Sequence, residues 1–246
     1  MKPHISIVVP AFDEEDRLGA SIGRILSYIA ERKLDAELII VDDGSADGTA
    51  QVARSAAGEF PQISTKVIRY EQNRGKGYAV RTGMLAAEAD IAVFSDADLS
   101  TPIDEMPKLV DPISAGKYDL TFGSRAIDRS LIGTHQPWRR EQGGRVMNLV
   151  IKKMSGLNFL DTQCGFKAFN MLKFRPLLDV MTIDRFGFDV EFLFVAQHHG
   201  LRLHEIPVRW NDVAGSKVSV WRDTCRMFSE LNQIRKNAKS GVYYLK

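Results

Sequence analysis

The sequence predicts an α/β fold with a mostly parallel central sheet and helices on both faces. Three observations predict it. From Ile5 to Phe94, short β-branched runs alternate with helical patterns, the rhythm of strand, crossover helix and parallel strand. The runs are apolar at successive positions rather than alternate ones, as strands buried on both faces require. The composition, 246 residues with 44% hydrophobic and 26% charged, is that of a soluble chain able to bury one full core.

Each element has its own justification. Ile5 to Pro10 is the first strand, stopped by a proline that cannot donate to a ladder. Glu14 to Glu31 sets Leu18, Ile22, Ile25, Leu26 and Ile29 at helical spacing. Glu37 to Val41 is a second strand, and Asp47 to Ala57 a second helix with Asp47 or Thr49 as cap. Lys66 to Tyr70, Gly75 to Ala87 and Ile91 to Phe94 read as strand, helix and strand. Asp104 to Ala115 predicts a helix and Asp119 to Gly123 a strand. Residues 126–145 hold Gly133, Pro137, Gly143, Gly144 and several arginines without apolar period, which predicts a long mobile loop. A helical pattern resumes over 146–158. Phe166 to Phe169 is a short strand, Phe188 to Gln197 an apolar helix, His204 to Trp210 a strand, and Trp221 to Lys239 a basic amphipathic helix. No repeat or low-complexity segment interrupts what reads as one domain over 1–246.

The net charge of +2 conceals an asymmetry. Lys+Arg against Asp+Glu is 13 to 20 over residues 1–124 and 20 to 11 over 125–246, or −7 followed by +9. A basic second half suggests an anionic partner such as phosphate, a membrane surface or nucleic acid. Cys164 and Cys225 lie far apart without a C-x-x-C spacing, which argues against a zinc site or a disulfide framework and fits a reducing compartment. Met1-Lys2-Pro3-His4 leads straight into the first strand, and no stretch reaches the roughly 18 apolar residues of a membrane span. The expectation is a protein with neither an export signal nor its own membrane anchor.

Three acidic segments follow three of the strands. Asp96-Ala97-Asp98 comes directly after Ile91-Ala92-Val93-Phe94, delivering two carboxylates to the carboxyl edge of the sheet, where a ligand can approach. Hard oxygen ligands there suit Mg²⁺ or Mn²⁺ bridging a nucleotide's phosphates, although a strand turning into a loop often carries Asp for local reasons. Pro10-Ala11-Phe12-Asp13-Glu14-Glu15 ends the first strand, and by itself is explained by an acidic first helical turn. Val41-Asp42-Asp43-Gly44-Ser45 ends the second. An Asp there accepts from a base N–H, and Gly44 lets backbone approach a ligand, but an Asx turn has the same composition. Their convergence at one sheet edge is what a nucleotide crevice requires. No G-x-G-x-x-G follows the first strand and no G-x-x-x-x-G-K-[ST] occurs, which disfavours a dinucleotide fold or a P-loop. Asn73-Arg74-Gly75-Lys76-Gly77 is glycine-rich, basic and precedes a helix, a weaker phosphate-cradle signal.

These segments, in order and spacing, resemble the inverting family 2 glycosyltransferases of the GT-A fold. Gly123-Ser124-Arg125, Asp161-Thr162-Gln163-Cys164-Gly165-Phe166-Lys167-Ala168-Phe169, Phe188-Asp189-Val190-Glu191 and Gly215-Ser216-Lys217 resemble the branch that makes polyprenyl-phosphate glucose or mannose. The likeness runs from residue 5 to about 220, and its ordered set is far more specific than any one motif. It implies that Asp42 reads the donor's base, with Pro10, Phe12 and Glu14 as walls around nucleoside and ribose, and Gly75 and Lys76 beside them. It implies Asp98 as a direct metal ligand and Asp96 as shared between metal and sugar, so that Mg²⁺ or Mn²⁺ offsets charge on the departing nucleoside diphosphate. Some relatives place a Gln ligand two positions after the second Asp; here that residue is Ser100. Arg125, Arg139, Arg140 and Lys217 are implied on the acceptor phosphate and donor pyrophosphate, Arg by bidentate recognition and Lys as a point charge.

The implied activity is transfer of a hexose, glucose or mannose, from UDP-glucose or GDP-mannose to a polyprenyl or dolichyl phosphate at the cytoplasmic face of a membrane. An ionised phosphate needs no strong general base, whereas a hydroxyl acceptor would. Asp161 and Glu191 are the candidates for that base, against structural roles as a turn and a helix carboxylate, and Asp161 is the one expected near sugar or acceptor. Transfer to a soluble or glycan hydroxyl, and nucleotide-sugar binding without catalysis, are the alternatives. Nucleic-acid binding is remote, for lack of any recognition motif. His198-His199 closes a helix where cations suit the dipole, Cys164 reads as a small packed residue, and Trp138 as a candidate for the acceptor entrance. The last helix has three readings: bilayer contact, packing on the sheet, or a face for a homodimer or membrane-protein partner.

Overall fold

The computed structural model describes residues 3–134, 138–213 and 220–245, with the side chains of residues 139, 140 and 220–225 outside the description. Its sheet strands are β1 Ile5–Ala11, β2 Ala36–Asp42, β3 Thr65–Arg69, β4 Ile91–Ser95, β5 Leu120–Ser124, β7 Phe166–Asn170 and β8 Leu203–Pro207; β6 Ile132–Thr134 and β9 Trp210–Asn211 form a separate two-stranded ribbon. The helices are α1 Leu18–Arg32, α2 Thr49–Gly58, α3 Lys76–Ala86, α4 Met106–Ser114, α5 Trp138–Ser155, α6 Met171–Phe174, α7 Phe188–His198 and α8 Val220–Lys239.

The seven strands lie in the order β3-β2-β1-β4-β7-β5-β8. All neighbours pair in parallel except at β7, which runs against both β4 and β5. Because β1, β2 and β4 are buried on both faces, two cores form. Ile7, Val9, Val93 and Phe166 enter one with α1, α2 and α4; Val8, Phe94 and Phe169 enter the other with α3, α7 and α8. Each such side chain, fully withdrawn from water, contributes about 1.5–3 kcal/mol. Among the described residues no helix is long and apolar enough to cross a membrane.

The chain winds outward from β1 through β2 to β3, then crosses to the other side of β1 for β4. At that reversal the crossover helices diverge and leave a crevice beyond the carboxyl ends of β1 and β4. Four expectations are corrected. Residues 126–145 are not one loop: β6 and the start of α5 lie there, the helix forming through Gly143 and Gly144 because Met147, Val150 and Ile151 pack on the core. Residues 135–137 are outside the described residues. The strand expected over 204–210 divides into β8 and β9, the latter paired with β6. Helix α1 starts at Leu18 rather than Glu14, since residues 12–15 are held by the loop after β2. Gly48 is the N-cap of α2 and no side chain caps it; Asp47 Oδ1 instead accepts from the backbone N–H of Thr49, at 3.0 Å.

Candidate active site

The crevice, about 340 Å³, is lined from the end of β1 by Pro10, Phe12, Glu14 and Arg17, and from the end of β4 by Asp96 and Asp98. Asp43, Gly75 and Lys76 close one side, and Arg185, Phe186 and Arg226 another.

The loops at the carboxyl ends of β1 and β2 are fastened to one another. Asp13 adopts a left-handed φ of 51°, donates its N–H to Ser45 Oγ at 2.9 Å, and accepts from Ala46 N–H on Oδ1 at 2.9 Å. Glu14 N–H donates to Thr49 Oγ1 at 2.7 Å. The Glu14 carboxylate takes the Arg17 guanidinium with both oxygens, Arg17 Nη2 at 2.6 Å from Oε1. Glu14 therefore stands where it was expected, and it carries a cation that the sequence did not announce.

Asp42 ends β2 and is fully buried; Oδ1 accepts from Ser45 N–H at 2.9 Å. Its Oδ2 has Arg69 Nε at 3.3 Å but no aligned hydrogen bond among the described residues. Its neighbour Asp43 reaches the crevice wall. Asp43 Oδ1 accepts from Arg74 N–H at 2.8 Å, and Oδ2 from Gly75 N–H and Asn73 Nδ2, each at 2.9 Å. One carboxylate thus orders the whole turn into α3. Gly75 sits at φ 112°, and a Cβ there would lie 2.4 Å from the carbonyl oxygen of Asp184, so only glycine fits the turn.

Lys76, the first residue of α3, places Nζ 2.6 Å from Asp96 Oδ1. Burial alone would lower the ammonium pKa; Asp96 and Asp189 override it and hold it above its ordinary value. Asp96 is anchored through its backbone, its N–H donating to Gly165 O at 3.0 Å. A Cβ on Gly165 would fall 1.9 Å from Asp96 Oδ2, so the glycine is the space the carboxylate occupies. Asp98 Oδ1 accepts from Ser100 N–H at 2.9 Å. Burial, and next the Asp96 charge, push the Asp98 carboxyl up. Ser100, two positions after Asp98, meets that carboxylate with both its backbone N–H and its hydroxyl.

The donor set fits a divalent cation. Asp96 Oδ1 is buried without a hydrogen-bond partner among the described residues, and a cation, Lys76 Nζ, already faces it. No group of three or more His, Cys, Asp or Glu side chains is arranged to hold a metal among the described residues. Two carboxylates with the remaining positions left to phosphate and water is the way Mg²⁺ is commonly held.

Beneath the crevice, Lys167 is fully buried, donating to Asp189 Oδ1 at 2.5 Å and Cys164 O at 2.6 Å. Beside it, Arg125 and Asp161 face each other: Arg125 Nε reaches Oδ2 at 2.6 Å, Nη2 reaches Oδ1 at 2.8 Å, and the Arg125 N–H adds a third bond at 3.0 Å. Burial would raise the Asp161 carboxyl, but the guanidinium prevails and holds it below the usual carboxylate range. Neither residue lines the crevice. Glu191 accepts from Thr182 N–H at 2.9 Å, Ile183 N–H at 2.9 Å and Tyr243 OH at 2.7 Å; it is a buried structural carboxylate. Lys217 and the side chains of Arg139 and Arg140 lie outside the described residues.

The structure thus gathers Pro10, Phe12, Glu14, Gly75, Lys76, Asp96 and Asp98 around one crevice and adds Arg17, Asp43, Arg185, Phe186 and Arg226. A mostly parallel sheet whose order reverses beside a pair of carboxylates is shared with the GT-A glycosyltransferases. The chain belongs to glycosyl transferase family 2, whose model matches residues 6–177; it is a glycosyltransferase. Curated relatives include the dolichyl-phosphate β-glucosyltransferases of Saccharomyces cerevisiae, 30% identical over 97% of this chain and 76% of the relative, and of Drosophila melanogaster, 32% identical over 94% and 74%. The human enzyme of that name is 30% identical over 98% of this chain and 78% of its own. Among solved structures, glucosyl-3-phosphoglycerate synthase from Mycobacterium tuberculosis in complex with phosphoglyceric acid superposes with a TM-score of 0.70 at 21% identity, covering 94% of this chain and 80% of that one. Its complex with Mn²⁺, UDP-glucose and phosphoglyceric acid gives 0.70 at 20% identity, covering 94% and 79%. At these identities the likeness is one of fold.

Proposed function

We propose that this protein transfers glucose, with inversion, from UDP-glucose to a dolichyl or other polyprenyl phosphate. The single observation that carries this reading is the Asp96 and Asp98 pair at the sheet's reversal point, in a chain about 30% identical to dolichyl-phosphate β-glucosyltransferases over nearly its full length. Asp98 and Asp96 would hold Mg²⁺ or Mn²⁺, which when bound neutralises charge developing on the departing diphosphate. Asp42, the expected partner of the base, is fully buried and outside the crevice lining, whereas its neighbour Asp43 stands in the wall. Pro10, Phe12 and Glu14 wall the nucleoside, and Lys76 leaves Asp96 for the phosphates.

The acceptor is read as a phosphate because the alternative base is occupied. Asp161 accepts three bonds from Arg125 and a fourth from Gln163 N–H at 3.2 Å, and a carboxylate held below its usual range is a poor proton acceptor for a hydroxyl. An ionised phosphate attacks the anomeric carbon without that help. Arg125 keeps further N–H groups beyond those spent on Asp161, and with Arg139, Arg140 and Lys217 it supplies the cationic acceptor side.

Contact with a bilayer is assigned to α5 rather than α8. Trp138, Val146 and Leu149 on α5 are 72%, 63% and 68% exposed, and Arg145, Lys152 and Lys153 are exposed beside them, an apolar and cationic face of the kind that lies on anionic lipid. The inward side of α8 is instead taken by the core, through Met227, Leu231 and Ile234. The test is a transfer assay with UDP-glucose, GDP-mannose and a polyprenyl phosphate, with Mg²⁺ or Mn²⁺, combined with sedimentation on anionic vesicles. Glucosyl-lipid formation and co-sedimentation are expected. A clear preference for GDP-mannose, or no transfer to the lipid phosphate, overturns the reading.

A further inference from the structure

Helix α8 brings two sets of side chains inward. Met227, Leu231 and Ile234 enter the core, whereas Arg226, Glu230 and Asn237 recur at intervals of four and seven and so share one face. That face is fitted to residues 181–187, the segment that carries Arg185 and Phe186 into the crevice. Glu230 Oε2 accepts from Gly187 N–H at 2.7 Å. A Cβ on Gly187 would lie 2.8 Å from that oxygen and 2.9 Å from Glu230 Cβ, so helix and segment are in direct contact. Asn237 Nδ2 donates to Thr182 Oγ1 at 2.8 Å, and the N–H groups of Thr182 and Ile183 are taken by Glu191. The segment is held at both ends, and Arg226 enters the same crevice from the first turns of the helix.

The crevice has four cations among its described lining, and they fall into two pairs. Arg17 and Lys76 are tied to carboxylates, Glu14 and Asp96. Among the described residues Arg185 and Arg226 make no ion pair within 4.0 Å; Arg185 reaches only Asn73 Oδ1, at 3.5 Å. Both guanidiniums lie in the field of the Glu230 carboxylate, which burial pushes up and these two charges draw down. Two positive charges share one negative charge, so a surplus faces the cavity from the wall formed by Arg185, Phe186 and Arg226.

We propose that Arg226 and Arg185 form a phosphoryl-binding subsite of the crevice, and that Glu230 is the positioning residue that, through Gly187 N–H, fixes α8 and its Arg226 against the segment that carries Arg185. This rests on the reading of the crevice as a nucleotide-sugar site and deepens it. Guanidinium forks suit phosphoryl oxygens, and the phosphoryl group is either the donor's diphosphate or the acceptor's phosphate. The experiment compares wild type with Arg226→Gln by calorimetric titration of UDP and of uridine in Mn²⁺, and by the KM for a polyprenyl phosphate. If the donor supplies the group, UDP binding weakens about tenfold or more while uridine binding is unchanged, since one charge-assisted contact is lost. If the acceptor supplies it, UDP binding holds and the acceptor KM rises by a similar factor. Glu230→Ala raises the same constant with kcat held within about twofold, and Glu230→Gln, which still accepts from Gly187, restores it. Unchanged UDP affinity and acceptor KM in Arg226→Gln overturn the inference, as does equal weakening of UDP and uridine. A wild type that binds no UDP at all would instead be a failure of the nucleotide-sugar reading.

Discussion

The carboxyl ends of β2 and β4 each present two aspartates at the same edge of the same sheet, yet the two pairs are built differently. At β2, Asp42 and Asp43 are 0% and 3% exposed and together accept four hydrogen bonds from the neighbouring loops. At β4, Asp96 and Asp98 are half-buried, and among the described residues they accept a single backbone N–H, that of Ser100. Asp96 otherwise meets only the point charge of Lys76. Hydrogen-bond saturation therefore separates the Asp43 carboxylate, which orders the turn into α3, from Asp96 and Asp98, which are left with capacity for a ligand. Two carboxylates placed side by side and partly buried are costly, as the raised Asp98 carboxyl shows, and a bound cation would relieve that cost.

Exchange of roles between the two pairs would break this comparison. The largest effect is expected from Asp98→Asn, which should reduce sugar transfer by about three orders of magnitude or more while leaving thermal unfolding at or above the wild-type midpoint. Substantial transfer by purified variant would end the assignment of Asp98. Next comes Gly165→Ala, whose methyl group claims the volume of the Asp96 carboxylate; displacement of a reacting-site group by about 1 Å costs about a hundredfold, read as kcat/KM with folding monitored by circular dichroism. The smallest effect on turnover and the largest on stability should come from Asp43→Ala. It strands the N–H groups of Arg74 and Gly75 and lowers unfolding free energy by about 2–4 kcal/mol, measured in urea. Equal stability losses for Asp98→Asn and Asp43→Ala would show that saturation does not divide scaffold from ligand.

Much of this was legible in the sequence because parallel strands must be apolar on both faces, so β1, β2 and β4 and the acidic residues after them stand out. Pro10, Phe12, Glu14, Asp96 and Asp98 reach the crevice for that reason, and Lys76 through the glycine-rich basic turn before α3. Asp42 and Asp43 were harder, since adjacent residues at a strand end point to opposite sides and only the fold shows that Asp43 faces the cavity. Arg17, Arg185 and Arg226 carry no local signal; each arrives through tertiary packing, Arg226 from more than a hundred residues downstream of Asp98. The glycines of residues 126–145 masked the first turns of α5, because packing of Met147, Val150 and Ile151 outweighs a propensity penalty of about 1 kcal/mol per glycine. The reversed direction of β7 left no mark in Phe166-Lys167-Ala168-Phe169, where parallel and antiparallel pairing ask for the same side chains.

The insertion of β7 between β4 and β5 bears on how the molecule can come into being. A fragment ending at Ser124 would hold all the acidic strand-end loops, yet its β4 would be an open edge and its β5 would lack the neighbour that joins it to the sheet. Such an edge invites pairing with other chains, and the Asp96 loop would lack Gly165 as its backbone partner. The crevice is therefore assembled only once a segment about seventy residues further along has returned. Its formation is tied to long-range chain closure and is expected among the later events of folding.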